Sequence, residues 1–262
     1  MANPTYQSGF YAPGRGTAKH PELWDGCVGA WNPGLGNTGL SLLDWSGNQN
    51  NGTLTGGPTW GVSDGRQSLL FNGTTSYGDV PNSASLNVFT DVTVAFWARF
   101  NTYAAGKRIF SKRQSGTPLE VYISDGTANG RLTFYTGGTA LSTSSGFLIL
   151  SEWHHYAATL SGTSVSFYRD GKLTDSGTVP AITGNINNIG IGHFFAGSYL
   201  HASLGDLRFY TRAVSQPQIR LLAQRPGIAY ERAPRKFYSL PAAAGNPTGI
   251  LINNLQSIRL GL

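Results

Sequence analysis

The stretch Glu152–Lys172 reads EWHHYAATLSGTSVSFYRDGK and predicts a β-hairpin. Two alternating runs are joined by SGTS, and Asp170-Gly171 has the residue types of a type I′ turn. Alternation places His154 and His155 on opposite faces of the first strand, so the two imidazoles cannot bind one metal ion together. The stretch is therefore typical of paired strands and not of a catalytic cluster.

Similar runs recur along the chain. Residues 92–100, VTVAFWARF, alternate with apolar side chains on both faces, which predicts a strand packed on both sides. Gly-, Asn- and Asp-containing turn motifs separate the runs, and the chain has 35 Gly but only 12% charged residues. The segment SQPQIRLLAQ is the one good helix candidate, with Ser215 and Gln218 forming a capping box. We expect an all-β fold, a two-sheet antiparallel jelly-roll sandwich with one short helix and extended terminal arms. Further strands are predicted at Cys27–Trp31, Ser68–Phe71, Ser76–Val80, Arg108–Lys112, Leu119–Ile123, Arg131–Tyr135, Trp153–Leu160, Ser164–Arg169, Ile186–Ile191 and Leu200–Arg212.

The two ends of the chain differ from this body. Residues 1–20 form an aromatic, Gly- and Pro-containing N-terminal arm, residues 21–224 the jelly-roll domain, and residues 225–262 a basic, aromatic C-terminal arm. From Leu207 onward, eight basic residues stand against one acidic residue, so the net charge of +6 comes from the C-terminal end. No signal-peptide pattern and no run of about 20 apolar residues is present, so we expect synthesis without a signal peptide and no membrane span.

Five segments occur in an order that resembles the laminin-G-like, concanavalin A-like jelly-roll family. They cover roughly Cys27–Ala223 and read LLDWSGNQNNGTLTG, SLLFNGTTSYGDVPNSASLN, VTVAFWARF, WHHYAATLSGTSVSFYRDGK and GDLRFYTRAVSQPQI. The flanks PELWDGCVGAWNPGLGNTGLSLLDWSG and LLAQRPGIAYERAPRKFYSL are similar to those of laminin-G-like proteins found in tailed-phage genomes. The resemblance implies a sandwich fold and a virion protein, while the function must be argued from a site.

The sequence contains none of the catalytic motifs typical of hydrolases of this fold or of serine and cysteine nucleophiles. Hydrolases of this fold use two carboxylates close together on one strand, but the four glutamates are far apart in sequence. No serine lies in a Gly-x-Ser-x-Gly motif, and Cys27 lies in an apolar run that predicts a buried strand. We therefore expect a protein that is not an enzyme.

The resemblance implies calcium as the metal that the protein could bind. Laminin-G-like jelly rolls often hold calcium with a loop aspartate, amide and carbonyl oxygens and a second acid. The matching positions are Asp44 and Asn48, with Asp206 as a partner. The alternative is that Asp44 and Asn48 satisfy their own turn amides. Zinc is not expected, because the histidine spacing is wrong and a second cysteine is absent.

Two functions are predicted. The first is a non-enzymatic virion structural protein, a capsid decoration or other particle-surface component, present in repeated copies and bound to other virion proteins through its arms. Its localisation would be the virion, and the basic arm is expected to contact a protein more readily than nucleic acid. The anchoring candidates are Tyr230, Arg232, Arg235, Phe237 and Tyr238, with Ile250, Leu251 and Ile252 as an apolar latch.

The alternative is a carbohydrate-binding, lectin-like module for adhesion to host or environmental glycans. Such a module needs exposed aromatic rings that converge with amide and carboxylate groups. The candidate rings, all near predicted strand ends, are Tyr77, Tyr103, Tyr122, Tyr135 and Tyr199.

Overall fold

The computed structural model describes residues 18–88, 90–112, 118–124, 130–194 and 198–234. Within these ranges the named strands pair antiparallel and form two sheets around one core. The strands are β1 Cys27–Trp31, β2 Ser41–Leu42, β3 Gly52–Thr55, β4 Thr59–Ser63, β5 Arg66–Asn72, β6 Tyr77–Val80, β7 Val92–Phe100, β8 Arg108–Lys112, β9 Leu119–Ile123, β10 Leu132–Thr136, β11 Thr139–Ser142, β12 His154–Ser161, β13 Ser164–Arg169, β14 Lys172–Thr178, β15 Ile189–Ile191, β16 His201–Leu204 and β17 Leu207–Tyr210.

We call the two sheets sheet I and sheet II. Sheet I follows the order β14-β13-β12-β7-β16-β5-β4, and β17 also pairs with β7 and with β1. Sheet II follows the order β11-β10-β9-β8-β15-β6-β3-β2. Strands that are adjacent in space are often far apart in sequence, as expected for a jelly-roll sandwich. The all-β prediction is confirmed.

The main core lies between the two sheets. Period-2 alternation sends one face of each strand inward, and sheet II contributes Phe110, Val121 and Phe134, each with no exposed area. Sheet I contributes Phe96 and Phe167, which are also fully buried. The side chains at alternate positions of sheet II therefore lie on its outer face.

A second apolar cluster covers the outer face of sheet I. Helix α1, Gln216–Leu222, begins at the Ser215 capping box and buries Ile219 and Leu222. Trp24 and Ile228 from the two ends of the domain pack into the same cluster. This second layer explains why β7 is buried on both faces, as its sequence predicts. No helix in the described part of the chain is long and apolar enough to cross a membrane.

The sequence predictions agree with the structure at most central strands. One predicted strand, Leu200–Arg212, is two strands in the structure, β16 and β17, which pair with different parts of β7. The break falls at Gly205, whose amide donates to the carbonyl of Trp97. The sequence pattern does not predict the short or polar strands β2, β3, β4, β11 and β14.

Candidate functional site

The outer face of sheet II carries a row of polar residues that crosses the strands. Asp79 on β6 lies opposite Gly190 on β15, which lies opposite Ser111 on β8. Ser111 lies opposite Glu120 on β9, and Glu120 lies opposite Tyr135 on β10. Residues directly opposite each other in paired strands share a face of the sheet. We call these five residues the acidic row.

A second row runs beside the acidic row. Tyr77 is two residues before Asp79 on β6, and Tyr122 is two residues after Glu120 on β9, so both share the face of the acidic row. Strands β6 and β9 run in opposite directions, because three antiparallel pairings separate them, and the two tyrosines are therefore displaced to the same side. Arg108 and Thr133 lie opposite Tyr122. We call Tyr77, Arg108, Tyr122 and Thr133 the aromatic row.

Loop residues after β15 fold back onto this face. The His193 ring stacks on Tyr77 with a centroid separation of 4.1 Å, and Tyr199 lies 5.9 Å from Tyr77 on the same measure. Phe194 lies 5.4 Å from the Cζ atom of Arg108, whose guanidinium also lies 4.4 Å from the Tyr122 ring. The rows and the loop thus form two groups of rings, one at β6 and one at β8 and β9.

The glycine at position 190 makes room for His193. A Cβ atom there would lie 2.9 Å from the His193 carbonyl oxygen, 3.0 Å from its Nε2 atom and 2.8 Å from Ser111 Oγ. The Ser111 hydroxyl donates to that carbonyl over 2.9 Å and fixes the loop. Gly192, at φ +76°, then turns the chain where a side chain would meet Phe71.

The turn before β6 positions Tyr77. The Asn72 side-chain oxygen accepts hydrogen bonds from the amides of Thr74, Thr75 and Ser76, at 2.9, 2.9 and 3.1 Å. An asparagine that accepts from its own turn in this way fixes the backbone without a longer loop. The FNGTT motif is therefore a structural element that leads directly into the face.

One ion pair and one histidine–aspartate contact lie on the face. Arg108 Nη2 lies 2.8 Å from Glu120 Oε2, and the Glu120 side chain is fully buried. Arg108 also donates to the Gly106 carbonyl, so its charge is held within the protein. His193 Nε2 lies 2.7 Å from Asp79 Oδ1, and the Asp79 side chain is 49% exposed. Asp79 therefore presents a carboxylate to solvent beside the aromatic rings.

The spacing of the two carboxylates matters for the chemistry. Asp79 and Glu120 are three strand spacings apart along the acidic row. At about 4.8 Å per spacing this is about 14 Å between their backbones. Glycoside hydrolases place their two carboxyl groups about 5 to 9.5 Å apart. Of these two acids, Asp79 is partly exposed and Glu120 is buried in an ion pair, so they do not form a catalytic pair.

The structure brings together most of the rings predicted as sugar-binding candidates. Tyr77, Tyr122 and Tyr135 share the face, and Tyr199 joins it through Tyr77. Tyr103 does not, because its ring packs against the main core and its hydroxyl donates to the Leu148 carbonyl.

Sequence reasoning missed the polar residues of the face, Asp79, Arg108, Glu120 and His193. Alternation in LEVYI places Glu120 and Tyr122 on one face of β9. Only the strand register shows that Asp79 lies in the same row.

The residues of the calcium hypothesis have protein partners. Asp44 accepts hydrogen bonds from the amides of Ala30, Ser46 and Asn50 and from the Ser46 hydroxyl, all within 2.7 to 2.9 Å. The Asn48 side-chain amide donates to Ser46 Oγ. This is the arrangement expected of a carboxylate that satisfies its own turn.

The Asp206 side chain forms an ion pair with Arg208. Its two oxygens lie 3.1 and 3.2 Å from Arg208 Nε, and both side chains are buried. Among the described residues, no group of three or more His, Cys, Asp and Glu is placed to hold a metal ion. Asp44, Asn48 and Asp206 therefore all have hydrogen-bond or ion-pair partners within the protein, and calcium binding stays a prediction.

The described anchoring candidates lie against the domain itself. The Tyr230 ring lies 4.8 Å from Arg208 Cζ and 5.0 Å from the Trp24 ring. Trp24 donates to the Ala229 carbonyl, and Arg232 forms a backbone bridge with Ala18. The described residues at the inner ends of both predicted arms thus pack on the outer face of sheet I. Arg235, Phe237, Tyr238, Ile250, Leu251 and Ile252 lie outside the described residues.

The hairpin residues have structural roles. Asp170 and Gly171 both have positive φ, as a type I′ turn requires, and Arg169 pairs with Lys172 across them. His154 contacts Asp170 at 2.7 Å, whereas His155 packs against Trp97 on the other face. Burial raises the pKa of the Cys27 thiol to about 12, which leaves it protonated and unreactive.

Comparison with solved structures finds a similar fold in an arabinanase domain and in two toxin binding domains. Domain 4 of an extracellular arabinanase from Geobacillus stearothermophilus, in complex with arabinotriose, has a TM-score of 0.64 and 19% identity, over 79% of this chain and 100% of that one. The binding domain of Paraclostridial Mosquitocidal Protein 1 has a TM-score of 0.60 and 18% identity, over 77% and 52%. The binding domain of botulinum neurotoxin serotype G has a TM-score of 0.61 and 14% identity, over 76% and 50%. The chain thus spans about half the length of the toxin domains.

Sequence comparison identifies the family. No curated protein sequence matches the chain. Residues 72–220 match the family model described as the concanavalin A-like lectin/glucanases superfamily. This match contains every strand of the two rows, from β6 to β10 and β15. Because it covers more than half of the chain, the protein belongs to the concanavalin A-like lectin/glucanases superfamily.

Proposed function

We propose that the protein is a carbohydrate-binding module and that the outer face of sheet II is its binding surface. The observation that carries this proposal is the placement of the aromatic row beside the acidic row on one face. Sugar rings have apolar faces that stack on aromatic side chains, and hydroxyl groups that hydrogen-bond to carboxylates. The partly exposed members of the rows, the rings of Tyr77 and Tyr135 and the carboxylate of Asp79, offer both kinds of contact.

The geometry favours binding over catalysis. The carboxylates of the face are about 14 Å apart by strand spacing, beyond the separation at which two acids act on one glycosidic bond. Glu120 is also fully buried and paired with Arg108, so its charge serves the ion pair. The similar arabinanase domain, a complex with a trisaccharide, supports a role in holding a glycan.

The carbohydrate-binding function is preferred to the virion structural role. The similar structures named above are a domain bound to arabinotriose and two toxin binding domains, and none of these is a virion component. The structural role rests on a C-terminal arm that lies mostly outside the described residues. The face on sheet II, in contrast, is described on five adjacent strands.

A glycan array tests the proposal directly. The wild-type domain should bind a defined set of glycans, and the variant Tyr77→Ala should lose that binding while it keeps its melting temperature within a few degrees. Trp60→Ala, at the edge strand of sheet I, is a control that removes a ring away from the face. Equal binding by wild type and Tyr77→Ala, or no binding by wild type, would contradict the proposal.

A further inference from the structure

The two ends of the described chain meet on the outer face of sheet I. Ala18 and Arg232 form an antiparallel backbone bridge, and the Lys19 amide donates to the Glu231 carbonyl over 2.8 Å. The Lys19 ammonium also lies 3.0 Å from a Glu231 carboxylate oxygen. Backbones paired in this way are about 5 Å apart. The described chain therefore enters and leaves the domain at one point.

Buried contacts hold both ends on the sheet. We call residues 18–24 and 227–232 the end junction. The Cζ atom of Arg208, on β17, lies 4.7 Å from the Trp24 ring centroid and 4.8 Å from that of Tyr230. Cation–π contacts that are shielded from water contribute about 2 kcal/mol. The end junction is therefore part of the folded domain, and its position relative to the two sheets is fixed.

The end junction and the proposed binding face lie on opposite sides of the sandwich. The main core separates sheet I from sheet II, and packed sheets are about 10 Å apart. The layer that contains α1 and the end junction lies outside sheet I and adds to this separation. The partly exposed Tyr77 and Asp79 lie beyond the core, on the outer face of sheet II. A polypeptide joined to the chain ends therefore starts on the side away from this face.

We propose that the protein is attached through its end junction while the outer face of sheet II binds a glycan that is itself fixed to a surface, an inference that rests on the proposed function. Anchoring by the terminal segments and glycan binding are then two parts of one function. They are compatible because the described anchoring candidates, Tyr230 and Arg232, lie on the side of sheet I.

The closeness of the two ends has a test that does not depend on glycan binding. The double variant Ala18→Cys with Arg232→Cys joins a bridged pair whose Cα atoms are about 5 Å apart, within the range of a disulfide. Under oxidising conditions the cross-link should form and raise the melting temperature, because it constrains the unfolded chain. Ala18→Cys with Thr53→Cys is the control pair that should stay reduced. If the first pair also stays reduced by intact mass, the ends do not meet in solution and the inference is overturned.

Two single-cysteine variants that carry the same biotin linker test the orientation. Lys19→Cys places the linker at the end junction, where the native side chain is 49% exposed. Thr53→Cys places it on the exposed part of the outer face of sheet II, opposite Asp79. Cys27 is buried and does not compete for the label. Each protein is coupled to streptavidin, and its affinity for the glycan that binds best on the array is compared with its own affinity in solution.

The two attachments should give opposite results. Attachment at position 19 should change the affinity by less than about twofold, and attachment at position 53 should weaken it at least about tenfold. The protein attached at position 19 should also retain beads coated with the same glycan, whereas the protein attached at position 53 should not. A large loss on attachment at position 19, or equal affinity of both attached proteins, would overturn this inference and leave glycan binding intact. If the wild type binds no glycan in solution or on the array, the proposed function itself is wrong and the inference fails with it.

Discussion

The substitution Gly190→Ala tests whether the packed position of His193 contributes to binding. The added Cβ would lie 2.8 Å from Ser111 Oγ, 2.9 Å from the His193 carbonyl oxygen and 3.0 Å from its Nε2 atom. All three distances are shorter than ordinary van der Waals contacts, so the loop must move away from β15. Overpacking of this kind costs about 1 to 3 kcal/mol in the free energy of unfolding.

The same shift separates His193 from its partners on the face. The bond to Asp79 and the stack on Tyr77 would both weaken. A hydrogen bond and an aromatic pair each contribute about 0.5 to 1.5 kcal/mol. We therefore expect glycan affinity to fall about tenfold or more, since 1.4 kcal/mol corresponds to a factor of ten.

Urea unfolding and calorimetric titration measure the two effects. The matched control is Gly61→Ala on the edge strand β4, where a Cβ meets nothing within 4 Å. Gly61→Ala should leave both affinity and stability unchanged or raise stability by up to about 1 kcal/mol. If Gly190→Ala has the glycan affinity and the free energy of unfolding of the wild type, the contacts of His193 with Asp79 and Tyr77 do not contribute to either in solution.

Three further predictions concern the scaffold. Burial lowers the pKa of His155 to about 3 from 6.5, so the unfolded chain binds the extra proton and stability falls as pH drops from about 6.5 to 3. At pH 4.5 the free energy of unfolding should be lower by about 3 kcal/mol than at pH 6.5. The variant His155→Phe should show a flatter dependence of urea unfolding on pH. An unchanged dependence would show that His155 is not the cause. Asp44→Ala should lower stability by about 1 to 3 kcal/mol through lost turn contacts, whereas a chelator should leave the wild-type melting temperature unchanged. A drop in the melting temperature with the chelator would favour calcium. Arg208→Ala should lower the free energy of unfolding by about 3 to 5 kcal/mol, because it removes the charged partner of the buried Asp206. The double variant Arg208→Met with Asp206→Leu should recover most of that stability. An equal loss in both variants would refute the explanation.

The central strands could be predicted from the sequence because their side chains alternate strongly. Strands β8 and β9 begin and end where the pattern of RIFSK and LEVYI predicts. Strand β14, KLTDSGT, could not be predicted, because its side chains are mostly exposed and its extended form depends on pairing with β13. The division of β16 from β17 at Gly205 also depends on a distant partner, the Trp97 carbonyl.

The candidate site could be predicted only in part. Tyrosines near predicted strand ends are recognisable from the sequence, and four of the five lie on the face. Their common surface depends on register between strands more than 40 residues apart, such as the alignment of Asp79 with Gly190. Local composition predicts an anchoring role for Tyr230 but does not show that its ring packs on Arg208 and Trp24.

The most direct measurement of the central claim is backbone amide NMR of the full chain during titration with the neutral oligosaccharide that binds best on the array. We predict that chemical-shift changes cluster on β6, β15, β8 and β9, with the largest changes near Tyr77, Asp79, Tyr122 and His193. Changes clustered around the Asp44 turn or along β4, with the outer face of sheet II unaffected, would contradict the account.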